Sequence, residues 1–335
     1  GGRFRLGART NEDFSENWQL EGHVAYGTKD GKFKYGLGFR HFLGHKNPRH
    51  FFGASYTWDV EQLGQGENAW RNDNILTSIF RTQDANRLNG FERIEGFYDR
   101  EWFNGFTSRL TYKRRKIWPL GDLRFERNTG DGTGVTPVEN IVSSEVIFHS
   151  RFAYKERFFE SKFNRFSLGS KYPIVQAQFT LGMEGIWGGD YDYRKLVVNV
   201  RNRVNVNPFG SLEYLIEGGQ IWGNVPFPLL ELHNGNVTLF YDPSAFNLMN
   251  LYEFASDRYA SVSLTHHFNG LFLNKIPLMR KLKWREVATV KGVVGTLRDE
   301  NRATLNFPET LDNLDEPYYE VGLGIENILK LFRID

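Results

Sequence analysis

No cysteine occurs among the 335 residues, which excludes a disulfide framework, a thiolate metal site and a cysteine nucleophile. No run of about 18 apolar residues exists, so no transmembrane helix is expected. An excess of one charge is missing too: 42 Lys+Arg stand against 40 Asp+Glu, a net +2, with no acidic or basic tail. Enzyme signatures are lacking. There is no Gly-x-Ser-x-Gly elbow, no Gly-x-x-x-x-Gly-Lys phosphate cradle and no His-Glu-x-x-His pair. Gly130-Asp131-Gly132-Thr133-Gly134 has no helix after it and reads as a turn. Asp190 and Asp192 lack the Gly and Glu of a calcium loop.

What the chain does have is aromatics and glycine: Phe 29, Tyr 15, Trp 8 and Gly 34, at a mean hydropathy of −0.49. Apolar residues at 40% and charged residues at 24% exclude a disordered chain. An aromatic yet hydrophilic composition suits a barrel with an oily outside and a wet inside. The first residue is Gly1, without a charged-then-apolar leader, so a processed chain or an excised domain is expected.

Period-two alternation recurs along the chain. Val175, Ala177, Phe179, Leu181 and Met183 alternate with Gln176, Gln178, Thr180, Gly182 and Glu184. Leu196, Val198, Val200, Val204 and Val206 lie opposite Asn199, Arg201, Arg203, Asn205 and Asn207. Phe33, Tyr35, Leu37 and Phe39 alternate with Lys34, Gly36, Gly38 and Arg40, and Phe106, Leu110 and Tyr112 with Thr107, Arg109, Thr111 and Lys113. Successive side chains of a strand point to opposite faces, so each segment has one greasy and one polar face. Weaker segments lie near 3–10, 18–27, 50–58, 75–82, 91–99, 120–127, 142–154, 210–219, 259–268, 284–294 and 318–326. The total is about 15 strands, several long enough to cross a bilayer when tilted. Lys29-Asp30-Gly31, Asn128 to Gly132 and Gly188-Gly189-Asp190 carry hairpin signals.

The fold class is therefore all-β. In a soluble sandwich the apolar faces would turn inward; in an outer-membrane barrel they would meet lipid and the polar faces would line the lumen. Strand length favours the barrel, as do Trp18, Tyr26, Trp58, Trp102, Trp187, Trp222 and Trp284 near strand ends, where a girdle would sit. The longest interruption, about 220–258, is rich in Phe240, Phe246, Leu248, Met249, Leu251 and Phe254, and loops of that kind are usually functional or self-packed.

Several motifs resemble one family. They are Pro226-Phe227-Pro228-Leu229-Leu230-Glu231, His233-Asn234-Gly235-Asn236, Ala245 to Asn250, Glu253 to Tyr259, His266-His267-Phe268-Asn269-Gly270, Leu273 to Leu278, Leu282 to Val287, and Val321 to Ile328. The chain resembles a Bacteroidota outer-membrane family of unknown function whose barrel usually follows a carboxypeptidase-regulatory-like domain. The resemblance implies a transmembrane antiparallel β-barrel, distantly similar to the bacterial surface-antigen and outer-membrane assembly-factor superfamily. About 14–16 strands are expected when complete, with the closing strand missing after Asp335. Residues 1–335 are expected to be one barrel domain, with 220–258 a long loop or lumen plug.

Candidate sites follow from this frame. Glu253, Asp257 and Arg258 are expected to anchor 226–258 in the lumen against Arg201 and Arg203, by charge-assisted hydrogen bonds. Adjacent His266 and His267 are lumen candidates that point to opposite faces of a strand, one toward the lumen and the other toward lipid headgroups or a neighbouring segment, and cannot bind one ion together. His41, His45 and His50 flank one hairpin tip and read as incidental. Lys113 and Arg114 before Trp118, and Lys283 and Arg285 around Trp284, are candidates for lipid phosphates or lipopolysaccharide. No cofactor, metal or nucleic-acid partner is expected; the partners expected are outer-membrane lipid and other outer-membrane or periplasmic proteins. The function expected is non-catalytic: assembly, insertion, translocation or transport, with loops 59–74 and 297–317 external. The alternatives are a lipid-acting barrel enzyme using His266 or His267, and a soluble glycan-binding sandwich.

Overall fold

A computed structural model gives the structure; it describes residues 2–28, 31–44, 48–61, 63, 87–129, 134–236, 241–243, 245–330 and 332–335. Among the described residues, fourteen strands form one sheet in chain order. They are β1 (Arg3–Arg9), β2 (Trp18–Gly27), β3 (Phe33–Gly44), β4 (His50–Glu61), β5 (Arg87–Phe103), β6 (Phe106–Gly121) and β7 (Ile141–Ala153). The sheet continues with β8 (Ile174–Gly182), β9 (Tyr193–Asn205), β10 (Ser211–Trp222), β11 (Arg258–His267), β12 (Arg285–Thr296), β13 (Tyr318–Ile328) and β14 (Phe332–Ile334). Every neighbouring pair is antiparallel.

The expected strand at 120–127 does not form as one piece. Gly121 takes a left-handed φ of 67° and ends β6. Leu123 and Phe125 then turn into a buried cluster, each 2% exposed. Only Glu126–Asn128 is extended, in a small hairpin with Val135–Pro137. The expected strand at 75–82, the hairpin signals at Lys29-Asp30 and 130–132, His45, and residues 64–74 of the external loop lie outside the described residues.

The two faces of the sheet are inverted relative to a water-soluble fold. On β3 Phe33, Tyr35 and Leu37 are 63%, 41% and 67% exposed, while Lys34 between them is 4% exposed. On β8 Val175, Phe179 and Leu181 are exposed, and Gln176 and Thr180 are buried. Lys113, Arg115, Glu145, Asn199, Thr289 and Lys291 are likewise buried on their strands. The polar face is the covered one.

That face can be covered because the sheet curls. Glu320 on β13 accepts from the backbone N–H of Leu248, and Asn89 on β5 donates to the Tyr252 hydroxyl. These strands stand eight places apart in the sheet. Laid flat, eight spacings of about 4.8 Å make about 38 Å, whereas the four peptide units from 248 to 252 reach about 14 Å at most. Side chains stand off a sheet and add little lateral reach. Arg3 on β1 reaching Asp59 on β4 at 2.7 Å requires the same curvature.

The sheet has two unlike ends. Connections 122–140, 183–192, 223–257 and 297–317 leave the long-loop end; 104–105, 154–173, 206–210, 268–284 and 329–331 leave the turn end. The main hydrophobic core sits at the long-loop end, where Phe227, Leu230, Tyr252, Leu305 and Leu311 from the connections pack with Ile117, Ile141, Tyr193 and Ile221 from strand ends.

On the exposed face the Trp118 ring lies across Gly90, where a Cβ would come within 2.2 Å of it. Trp118 also packs on Trp58, with ring centroids 5.9 Å apart. Gly90→Ala is expected to displace the ring and to lower stability by about 1–3 kcal/mol. Thermal unfolding followed by near-ultraviolet circular dichroism reads both effects.

Candidate functional site

The covered face is polar, and the insert of residues 223–257 lies on it. A carboxylate or ammonium taken out of water needs an opposite charge or several hydrogen bonds. Each charge gripping the insert has such partners. Lys195 on β9 pairs with Glu231 of the insert at 2.9 Å. Lys291 on β12 donates to the carbonyls of Asp242 (3.1 Å) and Ala245. Glu320 on β13 accepts from the backbone N–H groups of Asn247 and Leu248 at 2.9 and 3.0 Å. Three charged side chains on three strands thus hold one loop by its backbone and a single carboxylate, and Asn89 on β5 adds its bond to the Tyr252 hydroxyl.

The insert is itself knitted together. Glu231–Leu232 pairs with Phe254–Ser256, which runs parallel to Asp312–Asn313 of the connection after β12. The connection 297–317, expected as an external loop, is therefore partly buried, because its Leu305 and Leu311 complete the same hydrophobic cluster. Asp257 is 3% exposed. It accepts from Arg298 Nε at 2.8 Å and Asn301 Nδ2 at 2.7 Å. Asn301 in turn accepts from the Val225 backbone N–H.

Beneath the insert, the covered face carries paired charges. Lys113 Nζ lies 2.9 Å from Glu145, which also accepts from the Tyr193 hydroxyl at 2.7 Å. Arg115 pairs with Glu61. Toward the turn end, Arg151 grips Glu156 through two bonds of 2.6 and 2.7 Å. There a short hairpin, Phe158–Glu160 with Arg165–Ser167, places Arg165 on Glu101 at 3.1 Å.

Several expectations are corrected. Asp257 is anchored, but by Arg298 and Asn301 rather than by Arg201 or Arg203. Those two arginines lie near the far end of β9 from the insert, about 20 and about 26 Å along the strand from Lys195, and Arg203 pairs with Glu213 at 3.0 Å. Glu253 accepts from the Asn250 backbone N–H within its own turn. Arg258 is exposed and does not face the insert. Lys113 is buried on the covered face, whereas Arg114 and Trp118 occupy the exposed one, Arg114 donating to the Trp187 carbonyl at 2.9 Å. Lys283 and Arg285 are exposed at the turn end with half-buried Trp284 between them. His266 bonds the Phe209 carbonyl at 2.9 Å, and His267 bonds Glu326 at 2.8 Å. Among the described residues no group of three metal-ligating side chains gathers.

Lys195, Lys291, Glu320 and Arg298 escaped the sequence reading. Each is a polar residue at a covered-face position of an alternating strand or just past its end, which the period shows; its partner is 36 to 77 residues away, which the period does not. His233 and Ser256 were missed as well. Their side chains meet at 2.8 Å inside the insert, with Ser256 fully buried. Burial pushes the His233 imidazole below its ordinary value, against the opposing pull of the Glu231 carboxylate.

The family described as "Family of unknown function (DUF5686) C-terminal domain" matches residues 1–299. The chain belongs to that family. The match stops before Val321 to Ile328, so that motif lies beyond it. No curated protein sequence matches this DUF5686 C-terminal domain. Among solved structures it is similar to CdiB from Acinetobacter baumannii, at 7% identity and a TM-score of 0.44, over 96% of this chain and 50% of that one. The domain thus spans half the length of that structure.

Two predictions follow from the buried charges. Lys113→Met leaves Glu145 without its cation and is expected to cost about 3–5 kcal/mol in chemical denaturation, most of it recovered in the Lys113→Met/Glu145→Met double variant. His233 is neutral in the folded protein, and its stabilising effect is complete above about pH 6.5, where the unfolded histidine is neutral too. That effect is lost as pH falls through the lowered folded value. Acidification should therefore raise amide exchange across 231–256, and His233→Asn should flatten the response.

Proposed function

We propose that this domain is a non-catalytic outer-membrane β-barrel serving membrane assembly, polypeptide insertion or translocation, or transport, with the insert 223–257 acting as a plug in its lumen. The observation that carries the reading is the inversion of polarity across the sheet. Exposed Phe33, Tyr35, Leu37, Phe179 and Leu181 would be costly facing water as one continuous apolar surface, and they suit lipid. A glycan-binding sandwich would bury those side chains instead. Strands of 9 to 17 residues are long enough to cross a bilayer when tilted.

Aromatic side chains gather near both strand ends. Trp18 and Trp102 lie toward the turn end, and Tyr26, Trp58, Trp118 and Trp222 toward the long-loop end, as interfacial girdles do. By the usual asymmetry of such barrels, the long-loop end is extracellular and the turn end periplasmic. Basic Lys283 and Arg285 then reach the periplasmic leaflet, and Arg114 with Trp118 the outer one.

The non-catalytic reading is supported by the bonds of the two histidines that a lipid-acting enzyme would use. His266 and His267 bond a carbonyl and a carboxylate, and Ser211, opposite His267 in the sheet, accepts from Arg203. The His233–Ser256 pair is sealed in the insert. Lys195, Lys291 and Glu320 hold the polar side of the plug, so loosening them would free its inner segment while the hydrophobic cluster at the long-loop end stays in place, which suits a gated passage.

The first test is gel mobility of detergent-extracted protein, boiled against unboiled. A faster unboiled band is expected; no shift, with the protein soluble without detergent, sinks the proposal. Phe179→Arg is expected to cost about 2–4 kcal/mol in a bilayer, whereas an arginine at a water-exposed position changes stability by about 0.5 kcal/mol or less. Glu320→Ala frees the backbone of Asn247 and Leu248, and single-channel conductance in planar bilayers should rise above that of the unaltered protein.

A further inference from the structure

The exposed face carries a polar row where three neighbouring strands end. At the long-loop ends of β10, β11 and β12, Gln220, Arg258 and Thr296 stand side by side, since Gln220 pairs with Arg258 and Arg258 with Thr296 across the sheet. Trp222 and Arg298 lie two residues further out and close an open cleft of about 300 Å³ with them. Trp222 is 41% exposed. Arg298 is fixed by its bond to Asp257. The Arg258 side chain makes no hydrogen bond or ion pair among the described residues, so its guanidinium stands beside an indole, an amide and a hydroxyl.

What lies below the row decides the kind of ligand. On the same face, Gly218 and Ala260 follow Gln220 and Arg258 toward the middle of the strands, then Ile216, Val262 and Gly292, with Val294 beside Ala260. Ile216 and Val294 are about half exposed, 51% and 48%. Gly218 and Gly292 leave a shallow furrow: a Cβ on Gly292 would meet only Val262 and Tyr319 at 3.8 and 3.9 Å, apart from a carbonyl at 3.6 Å. The surface passes from cationic and hydrogen-bonding to apolar within two strand residues, from Gln220 to Gly218 and from Arg258 to Ala260. Such a gradient fits an amphiphile.

We infer that this cleft binds the head of an anionic glycolipid, a phosphorylated sugar carrying acyl chains, in the leaflet that meets the long-loop end. Arg258 holds the phosphate as a planar, permanently charged donor. Trp222 offers its face to a sugar ring, while Gln220 and Thr296 bond hydroxyls. The acyl chains run down the furrow between Gly218 and Gly292. The inference rests on the membrane reading above, because only a lipid-facing sheet presents this row to a leaflet.

The test uses the full chain in detergent micelles, with lipid A (a phosphorylated glucosamine lipid) and phosphatidylglycerol as probes and native mass spectrometry as the readout. One lipid A is expected to bind, about tenfold more weakly to Arg258→Gln and more weakly also to Trp222→Ala. Lys171→Gln, exposed in the turn-end connection 154–173, should match the unaltered protein. Equal binding by Arg258→Gln overturns the site. Equal affinity for the two lipids, with Trp222→Ala unaffected, overturns the assignment of a sugar head, and full displacement by millimolar inorganic phosphate points to the free anion instead. Gel mobility keeps the two ideas apart: a heat-sensitive band without lipid A binding sinks the site alone, and the loss of that band in the unaltered protein sinks the membrane reading beneath it.

Discussion

A charge withdrawn from water must meet another charge or a set of dipoles, and that requirement organises this molecule. The covered face of the sheet carries Lys113, Arg115, Glu145, Lys195, Lys291 and Glu320. None of them could be buried in an apolar core without partners. The insert supplies partners for three: one carboxylate, two carbonyls and two backbone N–H groups. Removing the insert would therefore leave charges unmatched, and straightening the sheet would separate strands that grip one short segment. Polarity, curvature and the insert are parts of a single constraint.

The same constraint explains the position of the hydrophobic core. In a water-soluble β-protein the apolar faces of the strands make the core. Here those faces are exposed, so the buried apolar residues come from connections instead: Phe125, Phe227, Leu230, Tyr252, Leu305 and Leu311. The motif Pro226-Phe227-Pro228 begins that core, with Phe227 against Phe125 and Phe307 at ring distances of 5.6 and 6.0 Å.

Much of the fold was legible in the sequence, because a period of two needs only local information. The alternations at 33–40, 106–113, 174–184 and 196–207 mark β3, β6, β8 and β9, and they separate the covered from the exposed face residue by residue. Two things were not legible. Strand ends depend on single backbone conformations, as at Gly121, where an apolar run that looks like more strand turns into the core. Partners depend on three-dimensional closure: the sequence marks Asp257 as an anchor, but its cation is Arg298, past the end of β12, rather than Arg201 or Arg203 of β9. Lys113 was misplaced for a related reason. In Lys113-Arg114-Arg115-Lys116 the charges alternate between faces, so a basic run in the sequence is not a basic patch in space.

The chain-order pairing of the sheet has a kinetic corollary. Each of the fourteen strands bonds only to its neighbours in sequence, so every pairing closes a loop no longer than one connection, and the sheet can grow by adding hairpins to an existing edge. The core of the connections is different: Ile117, Phe227 and Leu305 must come together across most of the chain. Contacts of such separation are slow to form. On topology alone the sheet would be expected to assemble as a zipper, with the part resembling an ordinary protein interior closing last.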